Sequence, residues 1–97
     1  FSYDEIFERQ VEAIGVEGDV LYAISTSGNS ENISRSIIAA KKKKITTIGL
    51  TGNNGGKMNE ISDILIKVPA DRPDRIQEMH IAVGQIICEI IEETLFN

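Results

Sequence analysis

Four hydroxyl side chains and a glycine crowd the segment Ser25-Thr26-Ser27-Gly28-Asn29-Ser30, between an apolar run and the start of a helical pattern. The preceding run Asp19-Val20-Leu21-Tyr22-Ala23-Ile24 is rich in β-formers and too short for a helix of its own, so it reads as a buried strand. From Ser30 onward, Ile33, Ile37, Ile38 and Ala40 recur at helical spacing, with Asn29 or Ser30 placed to cap the helix. Strand, tight turn and helix N-terminus converge free backbone N–H groups, the positive end of the helix dipole and several O–H donors on one point. That is the chemistry of an anion cradle for a phosphate, with Ser25, Thr26, Ser27 and Ser30 as its candidate residues. The same residue types also build ordinary turns and caps; four hydroxyls exceed what one cap uses.

Nucleotide phosphates fit less well. In the region resembling a P-loop, Gly56-Lys57 is followed by Met58 and Thr51 stands where the first glycine belongs. The three spaced glycines of a dinucleotide loop are also absent, so no nucleotide cofactor is expected.

Alternating helices and strands position this loop. The spacing predicts a helix over 3–14, with Ser2 and Glu5 as a capping box, and a strand over 19–25. A helix over 30–42, a strand over 45–51, a helical turn near 58–61, a strand over 63–68 and a long helix over 74–95 follow. Such alternation specifies an α/β fold: a parallel sheet flanked by helices, with ligands bound beyond the carboxyl ends of its strands. The hydroxyl loop and the glycine-rich loop 52–57 both lie at that edge. The latter reads as a turn with left-handed backbone more than as a second phosphate site. Three strands are few for an open parallel sheet, and the chain opens on Phe1 at what looks like a complete helix. Residues 1–97 are therefore read as one single, partial domain.

A net charge of −5 disfavours nucleic acid as the partner. Lys41 to Lys44 form the one concentrated basic run, read as the solvated last turn of the second helix. No membrane-length apolar run or signal peptide is visible, and the single Cys88 has no internal disulfide partner, so a cytoplasmic address is expected.

The last helix is apolar on more than one stripe. Ile76, Met79, Ile81, Ala82, Val83, Ile86, Ile87, Cys88, Ile90, Ile91 and Leu95 cannot all lie on one sheet face, which points to a subunit interface. Asp74, Gln77 and His80 fall within its first two turns, close enough to share a ligand. A lone histidine beside an apolar face also reads as a structural residue.

Glu17-Gly18-Asp19-Val20-Leu21, Ile24 to Ser30, Leu50 to Met58 and Asp74 to Ile81 together resemble the sugar isomerase (SIS) domains. More narrowly they resemble the sedoheptulose-7-phosphate (phosphoheptose) isomerases, over essentially the whole chain. The family's domain is about twice as long, so the chain looks like its C-terminal half, part of a three-layer fold. The resemblance implies a homotetramer with active sites between subunits. It also implies conversion of sedoheptulose 7-phosphate to D-glycero-D-manno-heptose 7-phosphate through an enediol, on the way to lipopolysaccharide heptose. Ser25, Thr26, Ser27 and Ser30 would hold the phosphate, Asp74 and Gln77 would contact the substrate, and Gln77 would be a ligand where zinc is bound. The family's catalytic histidine falls at Gln85, whose amide cannot exchange protons at neutral pH and ligates zinc poorly. His80 is then the candidate acid within the chain, and Gln85 the position where a metal ligand would stand. The alternative is a non-catalytic phosphosugar-binding regulator or scaffold.

Overall fold

The structure, a computed structural model, describes residues 3–96. Three short runs form a parallel sheet in the order β1 (Val20–Ile24), β2 (Thr46–Thr51), β3 (Ile64–Lys67). Val20 stands opposite Thr46 and Ile48 opposite Ile64, so all three strands end on the same edge. Parallel pairing requires crossovers, which α2 (Glu31–Lys42) and the single turn α3 (Met58–Ile61) supply. α1 (Ile6–Ile14) packs on α2, and α4 (Pro73–Phe96) follows β3.

Successive strand residues point to opposite faces. Leu21 and Ala23 meet Ile33, Ile37, Met58, Ile61 and Leu65 on one face. Tyr22 and Ile24 line a recess with His80, Ile81 and Gly84 of α4 on the other. The result is the expected α/β sandwich of three layers. Ile37 and Met58 are fully buried, each contributing on the order of 2 kcal/mol. Gly49 makes room for Met58: a β-carbon there would sit 2.7 Å from Met58 Cε. The buried Thr47 donates its N–H (2.8 Å) and O–H (3.1 Å) to the Asp63 carboxylate, and Asp63 N–H donates back to Thr47 Oγ1 at 2.9 Å. This exchange ties the entry of β3 to β2. The bond from Thr47 N–H, outweighing desolvation, holds the Asp63 carboxyl below its ordinary range.

Three elements differ from the sequence reading. The first helix begins as a 3₁₀ turn over Tyr3–Glu5 and becomes α-helical only at Ile6, with no side-chain cap from Glu5; Ser2 lies outside the described residues. The lysine run divides by role. Lys44 N–H donates to Lys41 O and Ile45 N–H to Ala40 O, the paired bonds of a Schellman ending with the buried Ile45 beyond it. Lys44 occupies the left-handed position, at φ 60°, that glycine usually fills. Lys43 reaches back to α1, donating to Glu12 O at 2.7 Å and Val11 O at 3.4 Å. It serves the carbonyl end of a helix far from it in sequence. α4 starts one residue earlier than expected because Pro73 suits the first helical position.

Candidate phosphate site

The hydroxyl loop leaves β1 at Ser25, whose N–H pairs with Leu50 O. It turns at Gly28, whose N–H donates to both Ser25 O and Ser25 Oγ at 3.1 Å. Asn29 N–H donates to Ser27 Oγ at 3.0 Å, leaving the Ser27 proton available to a ligand. α2 then begins with Ser30 at its N-cap, and no side chain caps the helix. The Ser30 hydroxyl donates to Asn32 Oδ1, so the first-turn N–H groups of α2 keep their capacity for an anion.

The glycine-rich loop is clamped onto this one. Asn29 Oδ1 accepts the Lys57 N–H at 2.9 Å, and Met58 N–H donates to Gly28 O at 3.2 Å. Gly28, at φ 73°, lies flat against Gly55, where a β-carbon would overlap the Gly55 carbonyl. Gly55 and Gly56 take φ values of 76° and 54°, the left-handed backbone expected of that turn.

Thr26, Ser27, Asn29, Asn53, Asn54, Asp71 and Gln77 surround a cleft of about 510 Å³ at the carboxyl edge of the sheet, floored by Gly52 and Ile76. Its polar lining is hydroxyls and amides, with Asp71 as the one titratable side chain among the described lining residues. A phosphoryl group there would be held by O–H and N–H dipoles, and the Asp71 carboxylate would suit sugar hydroxyls, since it repels a phosphate.

Of the residues singled out from sequence, Thr26, Ser27 and Gln77 meet at this cleft. Ser25 is buried beneath it, bracing the turn. Ser30 stands at the neighbouring helix start. Asp74 is exposed and paired with Arg72 at 2.8 Å. His80 is only 3% exposed, with Nε2 2.9 Å from the Thr51 carbonyl oxygen, and it does not line the cleft. Gln85 is exposed, two turns beyond Gln77. Asn29 was named only as a candidate helix cap; Asn53, Asn54 and Asp71 were not singled out, and the Asn-Asn-Gly-Gly turn at the same sheet edge was the signal for the first two.

A second recess of about 430 Å³ joins at Gln77, between β1 and α4. It contains the Tyr22 hydroxyl, which is buried without a partner and pushed up by that burial.

A parallel sheet carrying a hydroxyl turn and an uncapped helix start at its carboxyl edge defines an α/β domain whose edge donors are arranged as an anion would require. The sequence model of the SIS domain family matches residues 1–52, and the chain belongs to that family. It is 51% identical over 97 residues to the phosphoheptose isomerase of Sulfurimonas denitrificans and 54% identical to phosphoheptose isomerase 2 of Campylobacter jejuni, all of this chain being matched in both. Those matches cover 50% and 48% of the relatives. The chain thus spans about half the length of the curated relatives it matches. The structure of phosphoheptose isomerase from Neisseria gonorrhoeae superposes with a TM-score of 0.89 at 43% identity, over 92% of this chain and 51% of that one. The Francisella tularensis phosphoheptose isomerase gives 0.91 at 38%, over 94% and 49%. The three-layer fold is therefore that of the SIS domain.

Proposed function

We propose that this chain is the phosphate-holding C-terminal half of the SIS domain of a phosphoheptose isomerase, converting sedoheptulose 7-phosphate to D-glycero-D-manno-heptose 7-phosphate. The observation carrying this is the cleft over the hydroxyl turn, in a chain about half identical to such isomerases along its whole length. In this reading Thr26 and Ser27 donate hydroxyl protons to the phosphate, joined by the α2 first-turn N–H groups. Ser25 holds the turn, and Ser30 contributes once its hydroxyl leaves Asn32. The Gln77 amide and the Asp71 carboxylate orient sugar hydroxyls. Asp74 joins them only by leaving Arg72. The reaction moves a proton between neighbouring carbons through an enediol, which requires a base and an acid.

Zinc would polarise the substrate carbonyl where it is bound. This chain's donors toward it are the amides of Gln77 and Gln85, weak zinc ligands. Among the described residues no group of three or more His, Cys, Asp or Glu lies together. These residues do not make a zinc site by themselves, and no step is routed through one.

Assembly as a cytoplasmic homotetramer belongs to the same reading. The support is α4, which exposes Ile81, Ile86, Ile90, Ile91 and Leu95; among the described residues no helix is long and apolar enough to cross a membrane. A second reading, a phosphosugar-binding regulator without turnover, is favoured by Gln85, whose exposed amide cannot exchange protons. Isomerisation of sedoheptulose 7-phosphate by the intact protein, with and without zinc, beside direct binding of that sugar, separates them. Turnover supports the isomerase, binding alone supports the regulator, and neither defeats both. Replacing Ser27 and Ser30 together with Ala weakens binding in either case; unchanged affinity removes the phosphate assignment.

A further inference from the structure

α4 is 24 residues long, yet Ile76 and His80 are its only buried residues among those described. Four positions apart, they share one face, and both reach the corner where β2 ends. Ile76 Cδ1 lies 2.5 Å from where a β-carbon on Gly52 would stand, so the helix seats in the space that glycine leaves. His80 Nε2 lies 2.9 Å from Thr51 O. A carbonyl oxygen only accepts, so Nε2 carries the proton of this bond. Nδ1 is buried without a partner.

The corner itself is rigid. Thr51 O also accepts Val68 N–H at 3.0 Å, and Gly52 N–H donates to Thr26 O at 3.0 Å. The corner is thereby bonded to both β3's exit and the hydroxyl loop. Gln77, between the two anchoring side chains in sequence, lines the cleft. A long helix fixed at two adjacent points takes its position over the sheet from those points. Loss of one lets the Gln77 amide move relative to Thr26 and Ser27.

We propose that His80 is a positioning residue: through its Nε2–H bond to the Thr51 carbonyl it sets α4 over the end of β2, holds Gln77 at the phosphate cleft, and does not carry the proton of the reaction. This deepens, and rests on, the reading of the cleft as a phosphosugar site.

The test compares His80→Ala, His80→Gln, Gln77→Ala and the double variant His80→Ala/Gln77→Ala in the intact protein. A glutamine amide nitrogen can donate the same bond to Thr51 but exchanges no proton at neutral pH. His80→Ala should raise the KM for sedoheptulose 7-phosphate about tenfold, the equivalent of one hydrogen bond. It should also speed amide exchange in residues 73–80 and add little to Gln77→Ala. His80→Gln should restore KM and exchange protection to within about threefold of the parent, with an unchanged pH profile.

Three results overturn the proposal: loss of one limb of the pH profile in His80→Gln, a fall in kcat without change in KM, or additive His80 and Gln77 effects. Absence of turnover in the parent defeats the isomerase reading alone. The anchor is then decided by exchange in residues 73–80 together with the Kd for sedoheptulose 7-phosphate; His80→Gln must keep both near the parent's and His80→Ala must change both.

Discussion

Gly28 and Gly18 both have left-handed backbone, at φ 73° and 95°, but their surroundings differ, and that difference isolates what holds the cradle together. A β-carbon on Gly18 would meet nothing within 4 Å. One on Gly28 would overlap the Gly55 carbonyl, with the carbonyl carbon 2.5 Å away and Gly56 N at 3.0 Å. These are backbone atoms in a loop pinned by Asn29 and Met58, so no rotamer change relieves the contact. Alanine in left-handed backbone costs about 1–2 kcal/mol at either position. The overlap at Gly28 adds about 1–3 kcal/mol, as overpacking does elsewhere. Gly28→Ala should therefore destabilise by about 2–5 kcal/mol and Gly18→Ala by about 1–2 kcal/mol. Alanine restricts the unfolded chain equally at both sites, so that contribution cancels in the comparison. Urea unfolding at constant slope reads the difference as a midpoint lower by about 1 M or more for Gly28→Ala. The assay also separates fold from site: under conditions where both variants stay folded, inorganic phosphate should bind Gly18→Ala normally and Gly28→Ala weakly. Equal midpoint shifts for the two variants would refute the claim that the loops are in backbone contact.

Three further outcomes follow from single contacts. Lys44→Gly should stabilise the chain by about 0.5–1 kcal/mol and Lys44→Val destabilise it by about 1 kcal/mol, read by thermal or urea unfolding, because φ 60° suits glycine and least suits a β-branched residue. Asp63 titrates below its ordinary 3.8 in the folded chain, so its stabilisation is complete above that value and is lost as pH falls through the lower folded value. Asp63→Asn should show a smaller loss of urea midpoint between about pH 5 and about pH 2.5 than the parent; an identical loss would remove the Thr47 bond as the cause. Asp71→Asn should tighten inorganic phosphate about two- to fivefold by removing a like charge from the cleft, while weakening the phosphosugar whose hydroxyls it accepts; calorimetry reads both.

The fold was largely legible because its signals are local. Asp19 to Ile24 is too short and too β-rich to be helical, and the 3.6-residue recurrence of Ile33, Ile37 and Ala40 is unambiguous. The hydroxyl turn was legible for the same reason, since its residue types and its place after a strand are both written in six positions. What stayed hidden depends on contacts between distant segments. Nothing in Lys43 announces that it serves α1, 31 residues back in sequence at Glu12. Nothing in Asp71 places it beside Ser27. Asp74 looked equivalent to Gln77 on spacing alone, but Arg72 two residues earlier engages it at 2.8 Å. Ser25 counted as one more hydroxyl, and its residue type announces neither its burial nor its acceptance of the Gly28 N–H.

The distribution of charge explains why the cradle needs this second-loop support. Among the described residues lining the cleft there is no lysine or arginine; Arg72, between Asp71 and Pro73 in sequence, is paired with Asp74 at 2.8 Å, and the exposed Lys57 is paired with Glu31 at 3.7 Å. A cation attracts phosphate over several ångströms and tolerates loose geometry, whereas hydroxyl and backbone donors act only at bonding distance and in line. A dianion held by dipoles alone therefore demands that the donors be fixed before it arrives, because ordering them on binding would consume the affinity they supply. The bonds from Lys57 N–H to Asn29 Oδ1, Met58 N–H to Gly28 O and Gly52 N–H to Thr26 O meet that demand, each tying the hydroxyl loop to the glycine-rich segment and two of them between backbone groups alone. Asn29 is the one side chain in this set, which makes its carbonyl oxygen as much a part of the proposed phosphate site as the hydroxyls it steadies.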